Sequence, residues 1–238
     1  MTTFKDIFGN LHGGKILDVA TGTGRFAEVL KEELASYSEI VGIDTSERAQ
    51  QAFQSHFDDP SIRFMQMDAS TLDFPDDSFD TVAINYSLHH LPEPSRALNE
   101  MKRVLKPGGL LIVSEMYRDG QTGTQMTHVL LHDWWAAVDT ARGVCHNPTY
   151  PREQIASMLQ ALRLTNLTLY DLIDLTDDPL AADTVAEIDG IIDQYVQERI
   201  QGTPNEDDLR MQGEILRKRA HEIGFHGASV LVAVGQKP

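Results

Sequence analysis

Asp18 stands inside an apolar run, Lys15-Ile16-Leu17-Asp18-Val19-Ala20, four residues before Gly22. A carboxylate this near a buried strand end is costly unless a polar or cationic group satisfies it. A ligand carrying positive charge would do so; an aspartate capping a neighbouring turn is the structural alternative. Gly22 and Gly24 remove side chains where a ligand must approach the backbone, and the next helix offers its N-terminus there. Gly22-Thr23-Gly24-Arg25-Phe26-Ala27 also fits the dinucleotide pattern G-x-G-x-x-G/A, with acidic Asp44 20 residues after Gly24. A plain strand-to-helix turn has the same spacing.

A second set of chemical groups is histidine-rich. His89 and His90 follow an apolar run, and His128 and His132 are four apart, so on a helix they share one face. Asp133, Trp134 and Trp135 come next. Two readings stay open. Either this helix roofs a substrate pocket, with His132 or His128 polarising a hydroxyl and a tryptophan as wall, or the tryptophans pack the core beside partly solvated histidines. His128, His132 and Asp133 have metal-like spacing, but neither an HExxH pattern nor a cysteine cluster accompanies them, so no metal is expected. Cys145, the single cysteine, excludes an intrachain disulfide and suits a reducing cytoplasm.

The elements that must hold these groups alternate strand and helix. Strands are expected at 15–20, 40–43, 62–67, 79–86 and 110–114, with helices at 25–34, 46–57 and 94–105 between them. Lys106-Pro107-Gly108-Gly109 reads as the break between the last helix and strand. That order predicts a doubly wound, mostly parallel α/β sheet. Further on, 124–141 reads as a helix, Pro151 as the first residue of another, and 164–172 and 229–234 as strands. Between these last two, Val185, Ile188, Ile192 and Tyr195 and then Leu209, Leu216 and Ile223 follow helical spacing, with Asn205 as a cap and Gly224 as a stop. The expected organisation is one domain over 1–238, with a helical cap segment at 117–150 and an inserted helical hairpin at 176–225. That hairpin is a lid, a homodimer interface or simple packing. Asp80 begins its strand and reads as a fold residue.

The 238 residues carry 20 Lys and Arg against 36 Asp and Glu, a net charge of -16. Such a surface repels phosphate backbones, so a nucleic-acid partner is disfavoured and a small molecule fits better. No apolar stretch approaches the roughly 20 residues that span a bilayer. The opening Met-Thr-Thr-Phe-Lys-Asp lacks a secretory apolar core, so a cytoplasmic protein without membrane partners is expected.

The run from Lys15 to Gly24 resembles the first motif of the class I S-adenosylmethionine-dependent methyltransferases. Ala20 departs from the usual first glycine, as in the quinone-biosynthesis branch. The likeness continues through Val41-Gly42-Ile43-Asp44, Met67-Asp68-Ala69, Phe79-Asp80-Thr81-Val82 and Arg103-Val104-Leu105-Lys106-Pro107-Gly108-Gly109-Leu110-Leu111. It covers residues 15–115 and implies a seven-stranded Rossmann-like sheet that binds S-adenosylmethionine and releases S-adenosylhomocysteine. It further implies Ala20, Gly22 and Gly24 around the methionine moiety and Asp18 near its amino group. Asp44, with Thr45 beside it, would hold the ribose hydroxyls. Asp68 and Ala69 would hold the adenine, with Asn85 and Tyr86 near the methionine half. His90 matches a histidine the family often has at the cofactor edge, and joins His128 and His132 as a catalytic candidate. Methyl transfer to a small-molecule acceptor is the implied reaction. An NAD(P)-dependent oxidoreductase, which leaves Asp18 and Asp68 unexplained, and a non-catalytic S-adenosylmethionine-binding module are the rival readings.

Overall fold

In the computed structural model, which describes residues 2–238, seven strands form one sheet. They are β1 (His12–Val19), β2 (Ser36–Asp44), β3 (Ile62–Gln66), β4 (Phe79–Asn85), β5 (Leu105–Met116), β6 (Thr165–Leu172) and β7 (Val230–Gln236). Their order is β3-β2-β1-β4-β5-β7-β6. The first five are parallel, and β7 lies antiparallel between β5 and β6. The sheet is therefore mixed and mostly parallel, as the alternation predicted. Chain direction across it reverses between β1 and β4, and open α/β sheets bind ligands at the carboxyl ends beside such a switch point.

Central strands covered on both faces need apolar residues at successive positions. Leu17, Val41, Val82 and Leu111 point to one face, where they meet Leu98, Met101 and Leu159. Ile16, Ile40, Ala83 and Ile112 point to the other, against Phe8, Phe26, Leu30 and Phe53. Asp18 breaks this run, and it is only 1% exposed.

The helices are α1 (Phe4–Phe8), α2 (Arg25–Glu33), α3 (Glu47–His56), α4 (Pro94–Val104), α5 (Gly123–Ala141), α6 (Arg152–Ala161), α7 (Ala182–Glu198) and α8 (Glu206–Ile223). Ser46 caps α3 by accepting from the Ala49 amide, and Thr122 and Gln125 form a capping box on α5. Helices α5, α7 and α8 enclose a small core of their own, with Leu131, Trp134, Val138, Ile192, Leu209 and Leu216. The hairpin of α7 and α8 thus spends its apolar face on α5. No described helix is long and apolar enough to cross a membrane.

Three local expectations are corrected, and one helix is added. Lys106–Gly109 does not precede β5 but belongs to it: Leu105 pairs with Phe79, and the Gly108 amide donates to the Lys237 carbonyl at 2.8 Å. Pro151 lies outside α6 as its cap, with ψ 146°. Asn205 occupies the cap position of α8, yet its side chain makes no capping hydrogen bond. Helix α1 was not anticipated; a capping box of Thr3 and Asp6 starts it. Asp80 accepts from the Lys15 amide at 2.9 Å and from Lys106 Nζ at 2.6 Å, which ties β4 to its neighbours at the end remote from the switch point.

Candidate active site

At the carboxyl ends of β1 and β4 the backbone leaves the sheet through two left-handed residues, Ala20 (φ 53°) and Tyr86 (φ 47°). Neither is glycine, so both positions carry strain that the surrounding structure must hold. Between them opens a cavity of about 650 Å³. Seven of the ten residues expected at the cofactor line it: Ala20, Gly22, Asp44, Thr45, Asp68, Ala69 and Tyr86. Gly22 (φ 54°) has open space where a Cβ would stand.

The other three sit elsewhere. A Cβ on Gly24 would strike Phe57 at 2.5 Å and Phe53 at 2.9 Å, so Gly24 serves the packing of α2 against those rings. Asp18 and Asn85 lie within the sheet edge, and each has a buried Oδ1 with no hydrogen-bond partner. Asp18 Oδ2 accepts from Thr21 Oγ at 2.5 Å. Burial pushes the Asp18 carboxyl up to about 7; the Thr21 bond opposes that, and the charge of Asp44 adds to it.

Asp44 accepts from the Gly22 amide at 3.1 Å and from the Ser46 amide at 3.0 Å, one on each oxygen. Each oxygen keeps a lone pair for a further donor. Asp68 accepts from the Ser70 amide and hydroxyl, both at 2.7 Å, and these bonds hold its carboxyl below the usual range.

A second cavity, of about 500 Å³, shares Tyr86, His90 and Val144 with the first. Helix α5 presents His128, His132 and Trp135 to it. Trp134 turns away into the small core and donates Nε1–H to the Leu209 carbonyl at 2.9 Å. His132 is buried and His128 half-buried, and Trp134 packs as the alternative expected. Burial and the neighbouring rings of His89 and His146 hold His132 down to about 2, and burial holds His128 down to about 4. His90 opens onto both cavities; crowding by protein and by His89 holds its ring down to about 3. His128 Nδ1 accepts from the Ala228 amide at 2.9 Å, so its remaining nitrogen carries the proton and can donate but not abstract.

The sequence reading named His89 without giving it a role and passed over His146, Asp139 and Glu115. His89 and His146 face this cavity, Asp139 backs His146 at 2.8 Å, and Glu115 backs His89 at 2.9 Å. Glu115 is 0% exposed and also accepts from the Leu88 and Met116 amides. His89 had a sequence signal in its neighbour His90; His146 lies in a loop without periodicity, so no spacing announces it.

A protein family described as a methyltransferase domain matches residues 17–113. Over 104 residues the chain is 39% identical to a demethylmenaquinone methyltransferase of Clavibacter sepedonicus, covering 43% of this chain and 41% of that protein. Over 115 residues it is 37% identical to a phosphatidylethanolamine N-methyltransferase of Cereibacter sphaeroides, covering 46% and 55%. The chain thus spans about half the length of the curated relatives it matches. In fold it resembles the YcgJ protein from Bacillus subtilis, at TM-score 0.63 and 20% identity over 98% of this chain and 95% of that one. Residues 17–113, which supply the end of β1, β2 to β4, most of β5 and most of the lining of the first cavity, thus match a methyltransferase domain, and over this stretch the chain is similar to demethylmenaquinone methyltransferases.

Proposed function

We propose that the chain transfers a methyl group from S-adenosylmethionine to a small-molecule acceptor. The observation that carries this reading is the buried Asp18 carboxyl, one oxygen of which has no partner, behind a cavity rimmed by two further aspartates. The residues fit the nucleoside. Asp18 Oδ1 and Asn85 Oδ1 want partners, Gly22 leaves room against the backbone, and Asp44 keeps two lone pairs for a vicinal diol. In this reading Asp18 receives the amino group, Asp44 and Thr45 the ribose, and Asp68 and Ala69 the adenine. Ala20, Asn85 and Tyr86 border the methionine half.

S-adenosylmethionine supplies a sulfonium-bound methyl group to an in-line nucleophile. The chain's task is then alignment and exclusion of water, and positioning of this kind is worth up to about 7–11 kcal/mol. Tyr86, His90 and Val144 border both cavities, which supports the second as the acceptor side. There His128 would donate a hydrogen bond through Nε2, with His132 beside it, while Trp135 would form wall. Cys145 is exposed and unpaired, which suits the cytoplasm as the place of action.

Thermal shifts with S-adenosylhomocysteine and with NAD test the cofactor. At 100 times Kd a ligand stabilises by about 2.7 kcal/mol, which for this size moves Tm by about 5–10 °C. S-adenosylhomocysteine is expected to give that shift and NAD none; the reverse would favour an oxidoreductase. An acceptor screen with radiolabelled methyl donor then separates an enzyme from a binding module.

A further inference from the structure

We propose that His89, His132 and His146 form a divalent metal site of the zinc type, although their spacing in sequence gives no sign of one. His89 stands on the short turn after β4, His132 on α5, and His146 in the loop that follows α5. Their ring nitrogens converge. His132 Nε2 lies 3.2 Å from His89 Nε2 and 3.4 Å from His146 Nε2, and the three ligand atoms all lie within 4.8 Å of one another. Tetrahedral zinc with bonds of about 2.0–2.1 Å sets its nitrogens about 3.3–3.4 Å apart. Two edges of the triangle already have that length.

Hydrogen bonding among the rings does not account for the cluster. His89 Nδ1 faces Glu115 Oε1 at 2.9 Å, and His146 Nδ1 faces Asp139 Oδ2 at 2.8 Å. Carboxylates only accept, so these Nδ1 atoms carry the protons, and in the neutral rings both Nε2 atoms are bare lone pairs. His132 has one Nε2 to meet both. One proton there can serve one contact and leaves the other as lone pair against lone pair. A cation at the centre satisfies all three at once.

The surroundings are those of a ligand set. Carboxylate–histidine pairs of this kind fix tautomer and ring orientation in metal sites. Here there are two, Glu115–His89 and Asp139–His146, and Thr149 Oγ lies 3.3 Å from His132 Nδ1. Arg199 holds the other oxygen of Asp139 at 2.8 Å, and Asn147 ties the His146 loop to the His89 carbonyl at 2.7 Å. All three histidines are buried, and all three line the second cavity. Trp135 lines it too, with a buried Nε1 that has no partner. Three protein ligands facing a cavity leave the fourth position open, which is how catalytic zinc sites differ from closed structural ones. An ion there would meet an acceptor thiol or hydroxyl on the side that Tyr86 shares with the first cavity; that role rests on the proposed methyl transfer, whereas metal binding does not.

The test is uptake of metal by the full chain without any nucleoside present. Chain stripped with chelator and titrated with Co2+ is expected to bind one ion, with the visible absorption of four-coordinate cobalt, and to release it to Zn2+. His146→Ala should lower the affinity at least about 100-fold, and Asp139→Asn about 10–100-fold. His221→Ala, at an exposed position near the end of α8 that pairs with Asp189 of α7, should change nothing. Circular dichroism checks that each variant is folded. Absence of the four-coordinate spectrum in the unmutated chain overturns the proposal, and needs no variant. Equal uptake by folded His146→Ala overturns it as well.

Discussion

At the residue scale, Asp18 carries the sharpest consequence. Its carboxyl titrates near 7 in the folded chain against an ordinary 3.8, because burial penalises the charged form. A group raised in this way favours the fold below about pH 4, and that contribution is lost as pH rises through 7. The loss is on the order of 4 kcal/mol at about 1.4 kcal/mol per pH unit. Denaturation of Asp18→Asn and the unmutated chain at pH 4, 6 and 8 should show the slope in the latter and its absence in the former. The same variant should bind S-adenosylhomocysteine at least about 10-fold more weakly at pH 8, since a charge-assisted hydrogen bond is worth about 1.5–3 kcal/mol. Asp44→Asn should weaken it comparably, because the amide exchanges an acceptor oxygen for a donor next to the Gly22 or Ser46 amide. Calorimetry reads both. Ala20 makes the opposite prediction. With φ at 53°, Ala20→Gly removes about 1–2 kcal/mol of strain and costs about 0.4–1 in chain entropy. A gain of about half a kcal/mol is expected by urea unfolding, with nucleoside affinity kept.

At the scale of elements, the helical hairpin is held by one close fit. Gly213 of α8 lies under Trp134 of α5, and a Cβ there would approach the indole Cζ2 to 2.8 Å. Trp134 cannot yield easily, since its Nε1 is bonded to the Leu209 carbonyl and its ring is buried with Ile192 and Leu216. Gly213→Val should therefore destabilise the chain by about 1–3 kcal/mol, the usual cost of overpacking. Because α5 also carries His128 and His132, the shift should reach the second cavity. Nucleoside binding at the first cavity, whose walls lie mostly in the loops after β1 to β4, should largely survive. A variant that unfolds with unchanged midpoint would mean that the hairpin does not grip α5 as described. Arg118 pairs with Asp133, Arg142 with the Glu198 and Arg199 carbonyls, and Arg152 with Asp171.

Taken whole, the molecule joins a nucleotide-sized cavity at the switch point of a parallel sheet to a histidine-lined one beneath added helices. The net charge of -16 acts at this scale alone. It disfavours polyanions over the whole surface, so no retention on immobilised DNA is expected even at low salt, where electrostatic binding is strongest. Retention there would point to a local basic patch that the overall balance hides. Charge of this size does not bar the proposed small acceptor, whose capture would depend on the groups that line the second cavity, such as Tyr86, Trp135 and the histidines.

The sheet and most of the lining of the first cavity were legible in the chain itself, because their signals are local. Apolar runs closed by Asp44 and by Met67-Asp68-Ala69, and glycines after β1, reflect a strand's period and the turn that follows it. Seven of the ten positions expected at the cofactor line one cavity. Gly24 could not be told from its neighbour Gly22, since what it faces, Phe53 and Phe57, comes from α3. The histidine cluster was hidden for the same reason on a larger scale. His89 and His132 are 43 residues apart, and the carboxylates behind His89 and His146 lie on β5 and α5. Contacts of that span are fixed only when helix α5 docks across the carboxyl edge, and no periodicity along the chain encodes that event.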